Sequence, residues 1–162
     1  MLHILAKDEF SSFFDSICRQ YKNVEVIANS IGAFFTMNAL SDKQIEKAYF
    51  ISPIVNMEKL IEDMLLWANV SEAQLREKGV IETSFGQTLS WEYLAYVRSH
   101  QIDWTAPTHI LYGSKDNLTS LETISEFANR TDATLTVMEN GEHWFHTEEQ
   151  MAFLDRWIES YK

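Results

Sequence analysis

At 162 residues the chain is long enough to bury a real core in one domain, and its 46% hydrophobic and 13% aromatic content excludes a disordered protein. A formal charge of −11 with no cluster of Lys or Arg repels nucleic acid and anionic membrane surfaces, so neither is expected as a partner. The single cysteine, Cys18, excludes an intrachain disulfide and is expected in the core, while no apolar run approaches transmembrane length and no charged-then-apolar leader opens the sequence; a soluble cytoplasmic protein is the expectation.

Met1 to Ala6 is short and mostly apolar and is assigned to no element. From Asp8, available as an N-cap, the spacing Phe10, Phe13, Phe14, Ile17, Tyr21 predicts one helical stripe. The stretch V-E-V-I-A-N-S-I-G-A-F-F-T-M-N-A-L over Val24–Leu40 follows. Its first half suits a buried parallel strand and its second a buried helix, with Ser30 at the turn and Gly32 two residues on. A serine there projects its hydroxyl above the sheet, as in the pattern G-x-S-x-G, and Ala28 stands in for the first glycine. Ala48–Ile51 predicts a second strand, stopped by Ser52-Pro53.

Residues 54–106 break the helix–strand rhythm. Asn56 is expected to cap a helix through Asn69, Ser71 with Gln74 a short helix that Gly79 ends, and a third helix runs from about Ser90 to His100, with no strand between them. Three helices inserted between two sheet strands predict a cap. The rhythm then resumes with strand Thr108–Tyr112 and loop Gly113–Asp116. A capping box of Thr119 and Glu122 is expected to open a helix to about Asn129, followed by strand Thr134–Met138 and loop Glu139–His143. A closing helix is capped by Thr147 with Gln150. The fold class is thus α/β, with a mostly parallel sheet of about four strands and an inserted helical cap, in one domain.

In open α/β sheets functional groups gather past the C-terminal strand ends. Ser30, Asp116 and His143 occupy such loops, and their types are those nucleophilic acyl transfer needs: a hydroxyl, an imidazole to take its proton, and a carboxylate to orient the imidazole. With A-N-S-I-G, L-Y-G-S-K-D and N-G-E-H in the order Ser, Asp, His, the chain resembles the α/β-hydrolase superfamily over nearly its whole length. The resemblance implies Ser30 as nucleophile, His143 as general base and acid, Asp116 as its partner, and the Ile31 backbone N–H as an oxyanion donor. It also implies hydrolysis of a carboxylic ester or related acyl bond, without metal or organic cofactor. His146 is the local rival of His143, and Asp103 that of Asp116; His143-x-x-His146 with Glu142 lacks a purposeful third metal ligand. His3, His100 and His109 are expected at surface or packed positions. Phe85, Trp91 and Trp144 are candidate walls of a substrate pocket.

The family's second oxyanion donor comes from a loop upstream of the elbow, often glycine-rich, yet residues 1–28 contain no glycine. The N-terminal strand block of the superfamily is therefore expected to be absent, by truncation of a longer protein in preference to a natural short form. That absence would leave Val24–Ala28 as an unpaired apolar edge, open to a second copy in a homodimer. Two further functions stay open: an impaired remnant that binds a ligand or a partner chain, and an acyl or thioester transferase.

Overall fold

The computed structural model describes residues 2–161, with side chains from residue 7 onward. Helix α1 (Leu2–Cys18) leads to strand β1 (Glu25–Asn29), helix α2 (Ile31–Leu40) and strand β2 (Lys47–Ile51). After the inserted residues come β5 (Thr108–Gly113), α6 (Leu121–Thr131), β6 (Thr134–Met138) and α7 (Glu148–Glu159). The inserted elements are α3 (Met57–Trp67), α4 (Glu72–Lys78), β3 (Val80–Glu82), β4 (Thr88–Ser90) and α5 (Trp91–Ser99).

Strands β1, β2, β5 and β6 form a wholly parallel sheet in that spatial order. Burial follows position in the sheet. The inner strands β2 and β5 are almost wholly buried, whereas β1 and β6 at the borders are largely exposed or half-buried. On one face Tyr49, Ile51, Leu111 and Met138 pack with Phe145 and Trp157, and Phe153, Leu154 and Ile158 of α7 complete the cluster. Helix α2 is buried at Ala33, Phe34, Thr36, Met37, Asn38, Ala39 and Leu40, as its run of small and apolar residues predicts. Each fully buried large side chain, such as Phe50 or Ile110, contributes roughly 1.5–3 kcal/mol.

The chain divides into two compact units, residues 1–55 with 103–162, and residues 56–102. In the second, Asn56 accepts from the Lys59 N–H at 3.0 Å, Ser71 and Gln74 close a full capping box, and Gly79 ends α4 at φ 74°. Arg98 joins its helices, bonding Glu58 at 2.6 Å, Glu72 at 2.7 Å and Glu62 at 3.3 Å. Contrary to the expected absence of strands, Val80–Glu82 and Thr88–Ser90 pair as an antiparallel hairpin. Three residues a side are too few to show a strand period.

Four other expectations are corrected. Helix α1 begins at Leu2, so Asp8 lies within it and caps nothing; no proline or glycine interrupts the run from residue 1 to 18. Its expected stripe is only partly inward: Phe14 is buried, Phe10 and Phe13 are exposed, and Tyr21 lies past the helix end. Cys18 is exposed rather than in the core. The N-cap of α6 is Ser120, one residue later than expected, because Thr119 is drawn into the loop before it.

Candidate active site

Ser30 follows β1 directly and stands at the N-cap position of α2, with φ 51° and ψ −124° and no capping bond from its side chain. A non-glycine residue at such a φ costs of order 1–3 kcal/mol and persists only where its surroundings hold it. Here they do: the Ser30 N–H donates to the Ile51 carbonyl at 2.9 Å, and the Ser30 carbonyl accepts from Ile54 at 3.0 Å and Ala33 at 3.1 Å. The Asn29 amide also donates to the Ile51 carbonyl, at 3.3 Å. The turn is thereby stapled to the strand end beside it, where Ser52 too has a positive φ, of 44°, with its hydroxyl buried and unpartnered among the described residues. Ala28 is buried where a small residue was required, whereas a Cβ at Gly32 would meet nothing within 4 Å.

Asp116 and His143 come from the loops after β5 and β6, which are locked backbone to backbone. Ser114 N–H donates to the Met138 carbonyl at 3.0 Å, Lys115 N–H to the Gly141 carbonyl at 2.8 Å, and Asn140 N–H to Ser114 Oγ at 2.8 Å. Two glycines permit this approach: a Cβ at Gly113 would collide with the Gly141 carbonyl, and one at Gly141 would stand 3.0 Å from the Gly113 Cα. Tyr112 donates its hydroxyl to the Thr119 carbonyl at 2.8 Å, and burial, then the Asp116 charge, push its phenol up from the ordinary tyrosine range.

The three predicted residues meet. Ser30 Oγ lies 2.7 Å from His143 Nε2, and His143 Nδ1 lies 2.7 Å from Asp116 Oδ2. The imidazole is 2% exposed, so water does not compete for either contact. A carboxylate oxygen only accepts, so Nδ1 carries the proton and, in the neutral ring, Nε2 accepts from the serine hydroxyl. Asp116 Oδ1 meanwhile accepts from the N–H groups of Leu118 at 2.8 Å and Thr119 at 3.1 Å. Ile31 occupies the first position of α2, where a backbone N–H has no acceptor within its own helix.

The rivals lie elsewhere. His146 is exposed and pairs with Glu142 at 3.3 Å. His100 stacks on Tyr96 at 4.1 Å and His109 on Tyr161 at 3.8 Å. Asp103 is exposed. The His3 side chain lies outside the described residues. Among the described residues no three His, Cys, Asp or Glu side chains group as metal ligands, and no helix is long and apolar enough to cross a membrane. Of the candidate pocket walls, Trp144 stands perpendicular to the His143 ring at 5.1 Å. Phe85 packs edge-on to Trp67 at 6.2 Å, and Trp91 lies under the Arg76 guanidinium at 5.5 Å, both contacts within residues 56–102.

No protein-family model and no curated sequence matches the chain. Solved structures do. The chain superposes on mouse alpha/beta hydrolase domain-containing protein 10 with a TM-score of 0.69 at 15% identity, over 96% of this chain and 69% of that one. The fold is that of the α/β-hydrolases. Est1E from Butyrivibrio proteoclasticus matches with a TM-score of 0.63 at 14% identity, over 85% of this chain and 61% of Est1E. A Pyrococcus furiosus esterase matches at 0.51 and 20% identity, over 86% and 52%. At these identities the likeness speaks for the fold alone. The chain spans about three fifths of Est1E, and its four-stranded parallel sheet is a shortened version of the α/β-hydrolase fold.

Sequence reasoning missed the supports of this site. Asn29, Ile51, Ile54 and Tyr112 act through backbone groups or their partners, which no motif records. Gly113 and Gly141 did carry a signal, since one closes β5 and the other stands in the loop past β6.

Proposed function

We propose that the chain carries serine-hydrolase chemistry on a small, largely apolar carboxylic ester. One observation supports this above the others: the unbroken relay Ser30–His143–Asp116, with both contacts at 2.7 Å on a buried imidazole. Ser30 Oγ attacks the ester carbonyl carbon as its proton passes to His143 Nε2, and Asp116 stabilises the imidazolium. The carbonyl oxygen becomes an oxyanion against the Ile31 N–H. Collapse breaks the bond to the alcohol, which takes the proton from Nε2 as it leaves. A water then repeats the sequence on the acyl-serine, releasing the acid and restoring the hydroxyl.

A second reading, a protein that binds an acyl-type ligand or a partner chain with feeble turnover, is favoured by the oxyanion site. The Ile31 N–H is the one oxyanion donor assigned above, and a site working with one of two such donors typically loses roughly 10²–10³ in turnover. A fluorophosphonate probe separates the two. Rapid labelling and p-nitrophenyl acetate turnover are expected, both abolished in Ser30→Ala and in His143→Ala with unchanged circular dichroism. Labelling at the rate of an ordinary surface serine, or turnover that survives Ser30→Ala, would rule out the hydrolase reading.

A further inference from the structure

Two large apolar side chains stand open beside the reacting pair. Ile31, next in sequence to Ser30, is 44% exposed, and Trp144, next to His143, is 66% exposed, while Ser30 and His143 themselves are buried. The indole is perpendicular to the imidazole, at 86° between ring planes, so it is not stacked away against its neighbour and most of its surface is free. Residues 139–150, the loop that carries Trp144 and the first turn of α7, include Glu139, Glu142, Glu148 and Glu149 and no Lys or Arg. The adjoining residues 113–120 balance one lysine against one aspartate. That balance repels a substrate bearing its own carboxylate.

The side on which Trp144 stands matters. The proton that His143 Nε2 accepts from Ser30 must return to the departing alcohol, so the alcohol portion lies on the imidazole side. Resting on the hydrolase reading above, we infer that Trp144 is a specificity-determining residue for the leaving group, and that the substrate class is neutral esters of aryl-methyl alcohols, with a short acyl group toward Ile31. A ring of the benzyl type meets the free indole in an aromatic pair, which an aliphatic ring of the same size does not form with the same geometry.

Benzyl acetate and cyclohexylmethyl acetate test this, because they are close in size and differ chiefly in aromaticity, and the slightly lower basicity of the benzyl alkoxide is common to wild type and variant. The wild-type chain is expected to favour benzyl acetate in kcat/KM by about two- to tenfold, the range set by aromatic pairing. In Trp144→Leu, an exchange at an exposed position whose folding is checked by circular dichroism, the ratio should fall to about one. Turnover that requires Ser30 but shows no benzyl preference in the wild type, or a preference that persists in Trp144→Leu, overturns the inference and leaves the hydrolase reading standing. Absence of any Ser30-dependent turnover overturns the reading, and the inference with it.

Discussion

Asp116 divides its two carboxylate oxygens between different tasks. Oδ1 accepts two backbone N–H groups of its own loop, and Oδ2 holds the imidazole. In Asp116→Asn the amide oxygen would stay with Leu118 and Thr119, which leaves the NH₂ facing His143 Nδ1. The ring would then carry its proton on Nε2, where it can no longer accept from Ser30. Turnover is expected to fall by about 10⁴, the size of the loss for the same exchange in a serine protease, with little loss of stability because both loop bonds survive. A variant keeping more than a tenth of wild-type kcat would show that Asp116 does not set the tautomer. Ser30, Asp116 and His143 were legible in the sequence because their chemistry is in the side chains and their loops follow recognisable strands. The same reasoning mistook Thr119 for a cap, because capping residues look alike and only the turn closed by Asp116 decides between Thr119 and Ser120. Cys18 was misplaced for a related reason: an amphipathic helix does not say how wide its covered face will be.

At the scale of elements, α7 is held to the sheet through a nest of rings. Tyr49 and His109, paired across β2 and β5, meet Trp157 and Tyr161, with His109 stacked on Tyr161 at 3.8 Å. Burial among these rings, then the nearby Lys47 ammonium, hold the His109 imidazole below the ordinary histidine range. The unfolded chain binds that proton more readily than the folded one. Stability is therefore complete above about pH 6.5 and declines as the pH falls through the folded-state value. The urea midpoint should drop between pH 7.5 and 5.5, and His109→Phe, which keeps a ring in the stack, should flatten that drop. An unchanged pH slope in His109→Phe would separate the histidine from the effect. Of the longer elements, α7 was legible from its apolar spacing and its Thr147 cap, and α2 from an unbroken run of small and apolar residues. The hairpin of β3 and β4 was not, since its register rests on pairing across the Thr83–Gln87 turn and hardly at all on its own three-residue strands.

For the whole molecule, the sheet order among the described residues leaves β1 bonded to β2 alone, with Ile27 of that border strand 58% exposed. An open strand edge with an apolar side chain is a template for pairing, but two copies each carrying a formal charge of −11 repel one another. Residues 1–162 taken alone are therefore expected to self-associate more as salt screens that repulsion, from low ionic strength to about 0.5 M NaCl, and Ile27→Lys should suppress it. Sedimentation velocity that finds a monomer at every salt concentration would show the edge to be closed to a second copy. The relay carries one more consequence, for the entropy of closing its two contacts. The Asp116–His143 bond joins positions 27 apart, whereas the Ser30–His143 bond joins positions 113 apart. With closure entropy growing by about 0.6 kcal/mol per doubling, the longer loop costs about 1.2 kcal/mol more to close. Counted by loop closure alone, the contact of the imidazole with Asp116 is therefore the easier of the two to form and its contact with Ser30 the harder.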